Sequence, residues 1–398
     1  MNADQAWTAE QIVAAETAHA SGFYHKRPVV LARGKGALVW DVNGRQYIDC
    51  DTGHGVALFG HCHPAVVEAV SNQAATLLTC GESFYSEPRA RLMAALAAAL
   101  PEGLGRVFLC NSGTEAIEAA LKIARLVTGR KQVVATKRGF HGRTMGSLSA
   151  TWNPRYRGPF EPLLEGYRHV AFNSAEEAEA AITTDTAAVI VEPVQGESGV
   201  FVAEKSFLEH LRALCDERGA MLVFDEVQTG VGRTGTFVAA QGFGVTPDLL
   251  CLAKGLAGGM PIGAVAIGGR IGDLERGTHA STFGGNPMAC AAAAAAVKAA
   301  VDEKLPQRAA ELGERFMAKL NALAAEAHVI REVRGKGLMI GIDLRTRSAK
   351  YLQALQDRGV LALDAGPTVI RLLPPMVITW EQLETVYVAL EAVLKEAA

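Results

Sequence analysis

The chain has 398 residues, 49% of them apolar and 20% charged, with a formal net charge of −3. This is ordinary globular composition, with enough chain for roughly two to three domains. No basic patch or block of like charge stands out, so no nucleic-acid partner is expected, and the longest very apolar run, from Ala289 to Val301, is too short for a membrane span and carries Lys298.

Met1-Asn2-Ala3-Asp4-Gln5 has no basic segment leading into an apolar one, so no secretory signal is expected. The seven cysteines (Cys50, Cys62, Cys80, Cys110, Cys215, Cys251 and Cys290) form no CxxC pair and read as reduced thiols of a cytoplasmic protein. The first predicted element is a hairpin. Ala37-Leu38-Val39-Trp40 and Arg45-Gln46-Tyr47-Ile48 alternate apolar residues around an Asn-Gly turn at Asp41-Val42-Asn43-Gly44. His54, His61, Cys62 and His63 come next. They lack paired zinc spacing and Pro64 predicts a helix start, so no metal is expected.

From about Gly105 strands alternate with helices. Residues 106–110, 132–136, 187–191, 221–224, 249–252 and 264–267 read as strands, and 114–127 and 205–218 as helices. The expected fold class is α/β, with a mostly parallel sheet flanked by helices. From about Val301 the pattern is helical, then a strand at 337–344, another helix and a last strand near 369–372, a smaller α+β domain that the N-terminal hairpin is expected to join. The expected division is an N-terminal segment at 1–52, a large domain at 53–300 and a small domain at 301–398.

Two apolar runs end in charge: Met221-Leu222-Val223-Phe224-Asp225 and Leu249-Leu250-Cys251-Leu252-Ala253-Lys254. A buried charge needs a partner or a ligand, and ligands of open α/β sheets gather outside the carboxyl ends of the strands. An amine and an acid so placed suit a pyridoxal cofactor, Lys254 binding its aldehyde and Asp225 pairing with its ring nitrogen. Cys110-Asn111-Ser112-Gly113-Thr114 leads from a strand into a helix. That helix start suits a phosphate, with a plain cap by Ser112 or Thr114 as the alternative. After the 132–136 strand, Phe140 or His141 is placed to stack on a flat ring and Arg143 to grip a carboxylate, with a solvent-facing arginine as the alternative. Arg371 sits in an apolar strand and needs an anion. Glu197 is the candidate, either in a fixed salt bridge or as a partner that releases Arg371 to a substrate. Gly230-Val231-Gly232-Arg233-Thr234-Gly235 matches G-x-G-x-x-G, but it leads into no clear amphipathic helix and the dinucleotide reading is rejected. The hydroxyls of Ser281 and Thr282, in a glycine-rich loop, suit a phosphate or a substrate.

Taken in order, residues 110–116, 140–144, 192–197, 222–235, 247–259, 281–287, 333–341 and 365–375 resemble the class III aminotransferases of the PLP-dependent transferase fold type I, a likeness running from about Leu31 to Ile378. The resemblance implies a large domain around a seven-stranded-type sheet, pyridoxal 5'-phosphate as cofactor, and a homodimer with shared active sites. It implies that Lys254 and Asp225 are catalytic, that Ser112, Gly113 and Thr114 hold the phosphate, and that Phe140, His141 and Val227 surround the ring. Gln228 would approach the ring hydroxyl, and Thr282 would reach the phosphate of the neighbouring subunit. Arg143 and Ser281 fall where the family holds the amino donor. Arg371, paired at rest with Glu197, falls where it holds the α-carboxylate of glutamate. The implied reaction moves the terminal amine of N2-acetyl-L-ornithine to 2-oxoglutarate, a step of arginine biosynthesis.

Gly81-Glu82-Ser83-Phe84-Tyr85 departs from the Ser-Asn-Leu-Tyr-Tyr of many members using that donor. Residues 143–152 are also similar to a branch acting on carrier-protein-bound aminoadipate semialdehyde in lysine synthesis. Ornithine and 4-aminobutyrate are donors of more distant relatives. An aminomutase of the same fold and a non-catalytic scaffold are the readings outside this class. Arg371 opposite Glu197 favours a transaminase over the first, and the intact Lys254 and Asp225 speak against the second.

Overall fold

The apolar runs lie side by side in one seven-stranded sheet in a computed structural model that describes residues 7–395. In spatial order the strands are Arg106–Cys110, Gly263–Ile267, Leu249–Leu252, Met221–Asp225, Thr186–Val191, Gln132–Thr136 and Tyr167–Val170. All run parallel except Gly263–Ile267, which is antiparallel to both neighbours. Parallel strands are covered on both faces. That explains why Thr186–Val191, Met221–Asp225, Leu249–Leu252 and Gly263–Ile267 are buried at every position and read as unbroken apolar runs. Tyr167–Val170 escaped the sequence reading because Arg168 and His169 interrupt it, as suits an edge strand.

The helix Gly113–Thr128 is capped by Ser112, whose Oγ accepts from the Glu115 N–H at 3.3 Å, and it ends at Gly129 with φ 69°. It packs on the middle strands of the sheet. The alanine-rich helix Pro287–Asp302 starts from an Asn286 cap, and its small side chains let it pack on Pro64–Ala74 and Glu87–Ala99.

A second sheet is antiparallel, in the order Ile330–Lys336, Met339–Leu344, Val369–Leu372 and Leu363–Asp364. The single strand expected at 337–344 is thus half of a hairpin turning at Gly337, φ 58°. Its partner was hidden by the charged Arg331, Glu332 and Arg334. The helices Leu305–Glu326, Ala349–Asp357 and Trp380–Lys395 accompany this sheet. The N-terminal hairpin forms as Leu38–Asp41 and Gln46–Asp49, and its second strand pairs in parallel with Val360–Leu361.

The rejected G-x-G-x-x-G segment is a run of turns, with Gly232 at φ 103° and Gly235 at φ 100°. Its buried Arg233 donates to the Leu338 carbonyl at 3.0 Å and to the Pro374 carbonyl, pinning the large sheet to the second one. His61 bonds Asp49 at 2.7 Å and His63 faces Glu303 at 3.3 Å. Among the described residues no helix is long and apolar enough to cross a membrane. Met1 to Gln5 lie outside the described residues.

Candidate active site

A cavity of about 420 Å³ opens at the carboxyl ends of the parallel strands. It is lined by strand-end residues and by the start of the helix Gly113–Thr128. Lys254 follows Leu249–Leu252 after one extended residue and takes the left-handed φ of 46°. Such a conformation is costly for a residue with a Cβ and concentrates at functional sites. Burial lowers the basicity of the Lys254 amine, against the opposing charges of Glu197 and Asp225.

Asp225 ends its strand with 5% exposure. Its Oδ2 lies 2.8 Å from His141 Nδ1, and its Oδ1 accepts from the Val227 N–H at 3.1 Å. Burial works against a charged His141, but the hydrogen bond and charge of Asp225, with the charge of Glu192, outweigh it and raise the imidazole above its ordinary value. His141 Nε2 is buried without a hydrogen-bond partner. The next residue, Glu226, turns to the opposite side. It accepts from the Ala239 and Ala240 N–H groups at 2.5 and 2.8 Å and from the Thr229 hydroxyl at 3.1 Å.

Ser112, Gly113 and Thr114 stand together on the cavity wall. A Cβ on Gly113 would lie 2.8 Å from Val227 Cγ1, so glycine lets the helix start close against Val227. Thr114 Oγ1 meets the Thr144 hydroxyl at 2.8 Å and the Ser147 hydroxyl at 2.6 Å, which locks the helix start to the loop of Phe140, His141 and Arg143. Free N–H groups at a helix start, a buried carboxylate and a lysine of lowered basicity in one cavity fit pyridoxal phosphate.

Arg371 is 1% exposed in the middle of Val369–Leu372. Its Nη1 donates to Glu197 Oε1 at 2.7 Å, to the Gly196 carbonyl at 3.0 Å and to Gln228 Oε1 at 3.2 Å. Gln228 Nε2 in turn donates to Glu197 Oε1 at 3.4 Å. Glu197 and Gln228 line the cavity while Arg371 stands behind them. Burial opposes the Glu197 charge, but Arg371 and then Lys254 hold its carboxyl down to about 2. At the rim Arg143 is exposed, with its guanidinium 4.2 Å from the Tyr156 ring centre and 5.4 Å from that of Phe140.

Ser281 accepts from Asn111 Nδ2 at 3.2 Å, one step back from the wall, and Thr282 stands exposed on its loop outside this chain's cavity. All the other site residues singled out in the sequence, Arg371 apart, line the cavity. The sequence reading missed Glu192, a wall residue with 5% exposure. The signal was available, because Glu192 follows the apolar Thr186–Val191 strand just as Asp225 ends its own. The segment from Gly259 to Ile262 also lines the wall, and nothing in its composition announced it.

A cavity of this make-up at the edge of such a sheet defines a pyridoxal-phosphate enzyme of fold type I. Residues 20–394 match the aminotransferase class-III family, and the chain belongs to it. It is 49% identical over 386 residues to the [LysW]-aminoadipate semialdehyde transaminase of Deinococcus radiodurans, covering 96% of this chain and 90% of that one. It is 48% identical to the acetylornithine aminotransferase of Methanopyrus kandleri, covering 91% and 93% of the two chains. Among solved structures, the acetylornithine aminotransferase of Elizabethkingia anophelis superposes with a TM-score of 0.87 at 34% identity, covering 98% of this chain and 100% of that one. The ornithine aminotransferase of Toxoplasma gondii superposes at 0.92 and 34% identity, covering 98% and 95%. The protein is a PLP-dependent aminotransferase.

Proposed function

We propose that the protein transfers the terminal amine of N2-acetyl-L-ornithine to 2-oxoglutarate, giving N-acetylglutamate 5-semialdehyde and L-glutamate. The observation that carries this reading is Glu197 standing between the cavity and Arg371. With the pair closed, no free guanidinium waits beside Lys254, so a donor enters by its terminal amine and its carboxylate stays out at Arg143. With the pair open, Arg371 grips the carboxylate next to the reacting carbon of 2-oxoglutarate. The name of the Methanopyrus relative supports this donor.

The bound cofactor supplies an aldehyde that carries the amino group and a ring that accepts electrons. Asp225 keeps a proton on the ring nitrogen, and His141 orients Asp225. The N–H groups at Gly113 and Thr114, left free while Ser112 caps that of Glu115, would hold the phosphate. Phe140 and Val227, on the cavity wall, would cover the two ring faces, and Gln228 would approach the ring hydroxyl. Lys254 Nζ takes a proton from the donor's terminal CH2 and later delivers one to the α-carbon of the forming glutamate.

The Deinococcus relative supports a second donor, the lysine-pathway substrate bound to a carrier protein. Transfer rates from N2-acetylornithine, ornithine and 4-aminobutyrate to 2-oxoglutarate separate the readings. Strong preference for the acetylated donor is expected, and poor use of all three with the cofactor bound would favour the carrier-bound substrate. Glu197→Ala frees Arg371, so the preference for terminal over α-amines should fall by about tenfold, the worth of one charge-assisted contact. An unchanged preference would remove the gate from the reading.

We also infer a homodimer with shared active sites. Thr282 is exposed beside Phe283, and Leu77, Leu78, Phe84 and Tyr85 expose further apolar surface, which suits a contact that brings Thr282 to a partner's phosphate. All seven cysteines are free, which suits a reducing cytoplasm. The pairing of the N-terminal hairpin with Val360–Leu361 supports grouping 1–52 with the small domain.

A further inference from the structure

The reaction proposed above gives Glu192 no task, yet this carboxylate is buried in the cavity wall. Burial and the nearby Asp225 charge both push its carboxyl upward, so the position is an unfavourable one for an acid. A side chain needed only to fill space there would be apolar. What distinguishes Glu192 is that its two oxygens serve two different loops. Oε1 accepts from the Phe140 N–H at 2.8 Å and Oε2 from the Gly196 N–H at 3.2 Å.

Those loops belong to different ends of the site. Phe140 precedes His141, which bonds Asp225 on the cofactor side. Gly196 precedes Glu197, and its carbonyl accepts from Arg371 Nη1 at 3.0 Å on the substrate-carboxylate side. A Cβ on Gly196 would lie 2.1 Å from Gln228 Oε1, so any side chain there would displace the Gln228 amide.

The second loop needs holding. Four residues past Gly196, the buried β-branched Val200 has φ 58°, a left-handed conformation that persists only where surrounding contacts over-determine it. The far half of the loop is fixed by Arg334 Nε donating to the Gly199 carbonyl at 2.7 Å and by Ser198 Oγ donating to the Arg138 carbonyl at 2.6 Å. Glu192 fixes the near half, with Gln195 Nε2 adding bonds to Thr136 Oγ1 at 3.0 Å and the Lys137 carbonyl at 2.9 Å. Glu226, an acid equally removed from solvent, bonds the start of the helix Ala239–Phe243 and joins no parts of the site.

We propose that Glu192 is a positioning residue whose carboxylate ties the ring-facing loop of Phe140 and His141 to the gate loop of Glu197, keeping cofactor and substrate carboxylate in one register. It rests on the reading of Glu197 and Arg371 as a gate.

The test is hydrogen exchange on the cofactor-free protein, followed by kinetics on the loaded enzyme, for Glu192→Gln and Glu192→Asp. The glutamine turns an amide N–H toward one of the two backbone donors, and the aspartate is too short to reach both. In both variants the peptides holding Phe140 and Gly196 should exchange about tenfold faster, and the KM for 2-oxoglutarate should rise about tenfold with kcat changed much less. Wild-type-like behaviour of Glu192→Asp would show that charge alone matters and would overturn the tie, as would unchanged exchange in Glu192→Gln. If neither variant folds, wild-type exchange under rising denaturant decides: the two peptides should open together, and independent opening overturns the proposal. Failure of the gate itself is read separately, from the amine preference of Glu197→Ala.

Discussion

The two sheets place their functional residues in different ways. At the large sheet Asp225, Lys254 and Glu192 all stand where buried parallel strands run out, on backbone fixed by the sheet behind them. Arg371 instead lies mid-strand in the second sheet, opposite Gly341, and its acid partner comes from the loop of a separate small hairpin, Val194–Gln195 and Phe201–Val202. The first arrangement makes a rigid seat for a cofactor that stays. The second is a charge pair whose halves belong to separate elements, and the proposed gate would part it without disturbing either sheet. Direction matters as much as position. Asp225 and Glu226 are adjacent in sequence, but successive side chains at a strand end face opposite ways, so one enters the cavity and the other bonds the helix Ala239–Phe243.

The largest effect should come from the rigid seat. On the roles proposed for it, Lys254→Ala would remove both the covalent anchor and the proton carrier, and turnover should fall by at least about 1000-fold. Single-turnover rates with preloaded cofactor measure it, and a loss under tenfold would place the proton transfer on another group. A smaller and more selective effect belongs to the second sheet. Arg371→Ala leaves Glu197 in the wall without its cation, and the KM for 2-oxoglutarate should rise by about 100-fold, the scale of a broken buried pair. The KM for the amine donor should move far less. Equal changes in both would mean that Arg371 serves the frame and not the acceptor.

The same contrast decides what could be read without coordinates. Strand ends were legible because burial on both faces writes an unbroken apolar run, and a charge closing that run is conspicuous, as at Asp225 and Lys254. Arg371 stood out for the same reason, as one charge inside an apolar strand. Two edge strands rich in charge were not legible. Tyr167–Val170 and Ile330–Lys336 carry charges that hide their strand character. Glu192 closes an apolar run in the same way and was passed over all the same, while the backbone N–H groups of two loops that give it its role leave no mark in a sequence. The cavity wall from Gly259 to Ile262 contributes shape alone.

The smallest expected effect is on stability, and its sign differs between two acids. Glu197 is held down to about 2 from an ordinary 4.5, so its pairing with Arg371 contributes fully above about 4.5 and is lost as pH falls toward 2. Among the described residues no cation pairs with Glu226. Burial pushes its carboxyl up to about 7, against the three hydrogen bonds it accepts, so its contribution is full below about 4.5 and fades as pH rises through 7. Denaturation midpoints across pH should therefore show Glu197→Gln flattening the acid side of the profile and Glu226→Gln flattening the side between about 4.5 and 7. An acid-side slope unchanged in Glu197→Gln would mean that Arg371 gains little from Glu197 in the resting protein. The gate would then stand open by default, and the preference for terminal amines would have to arise at Arg143.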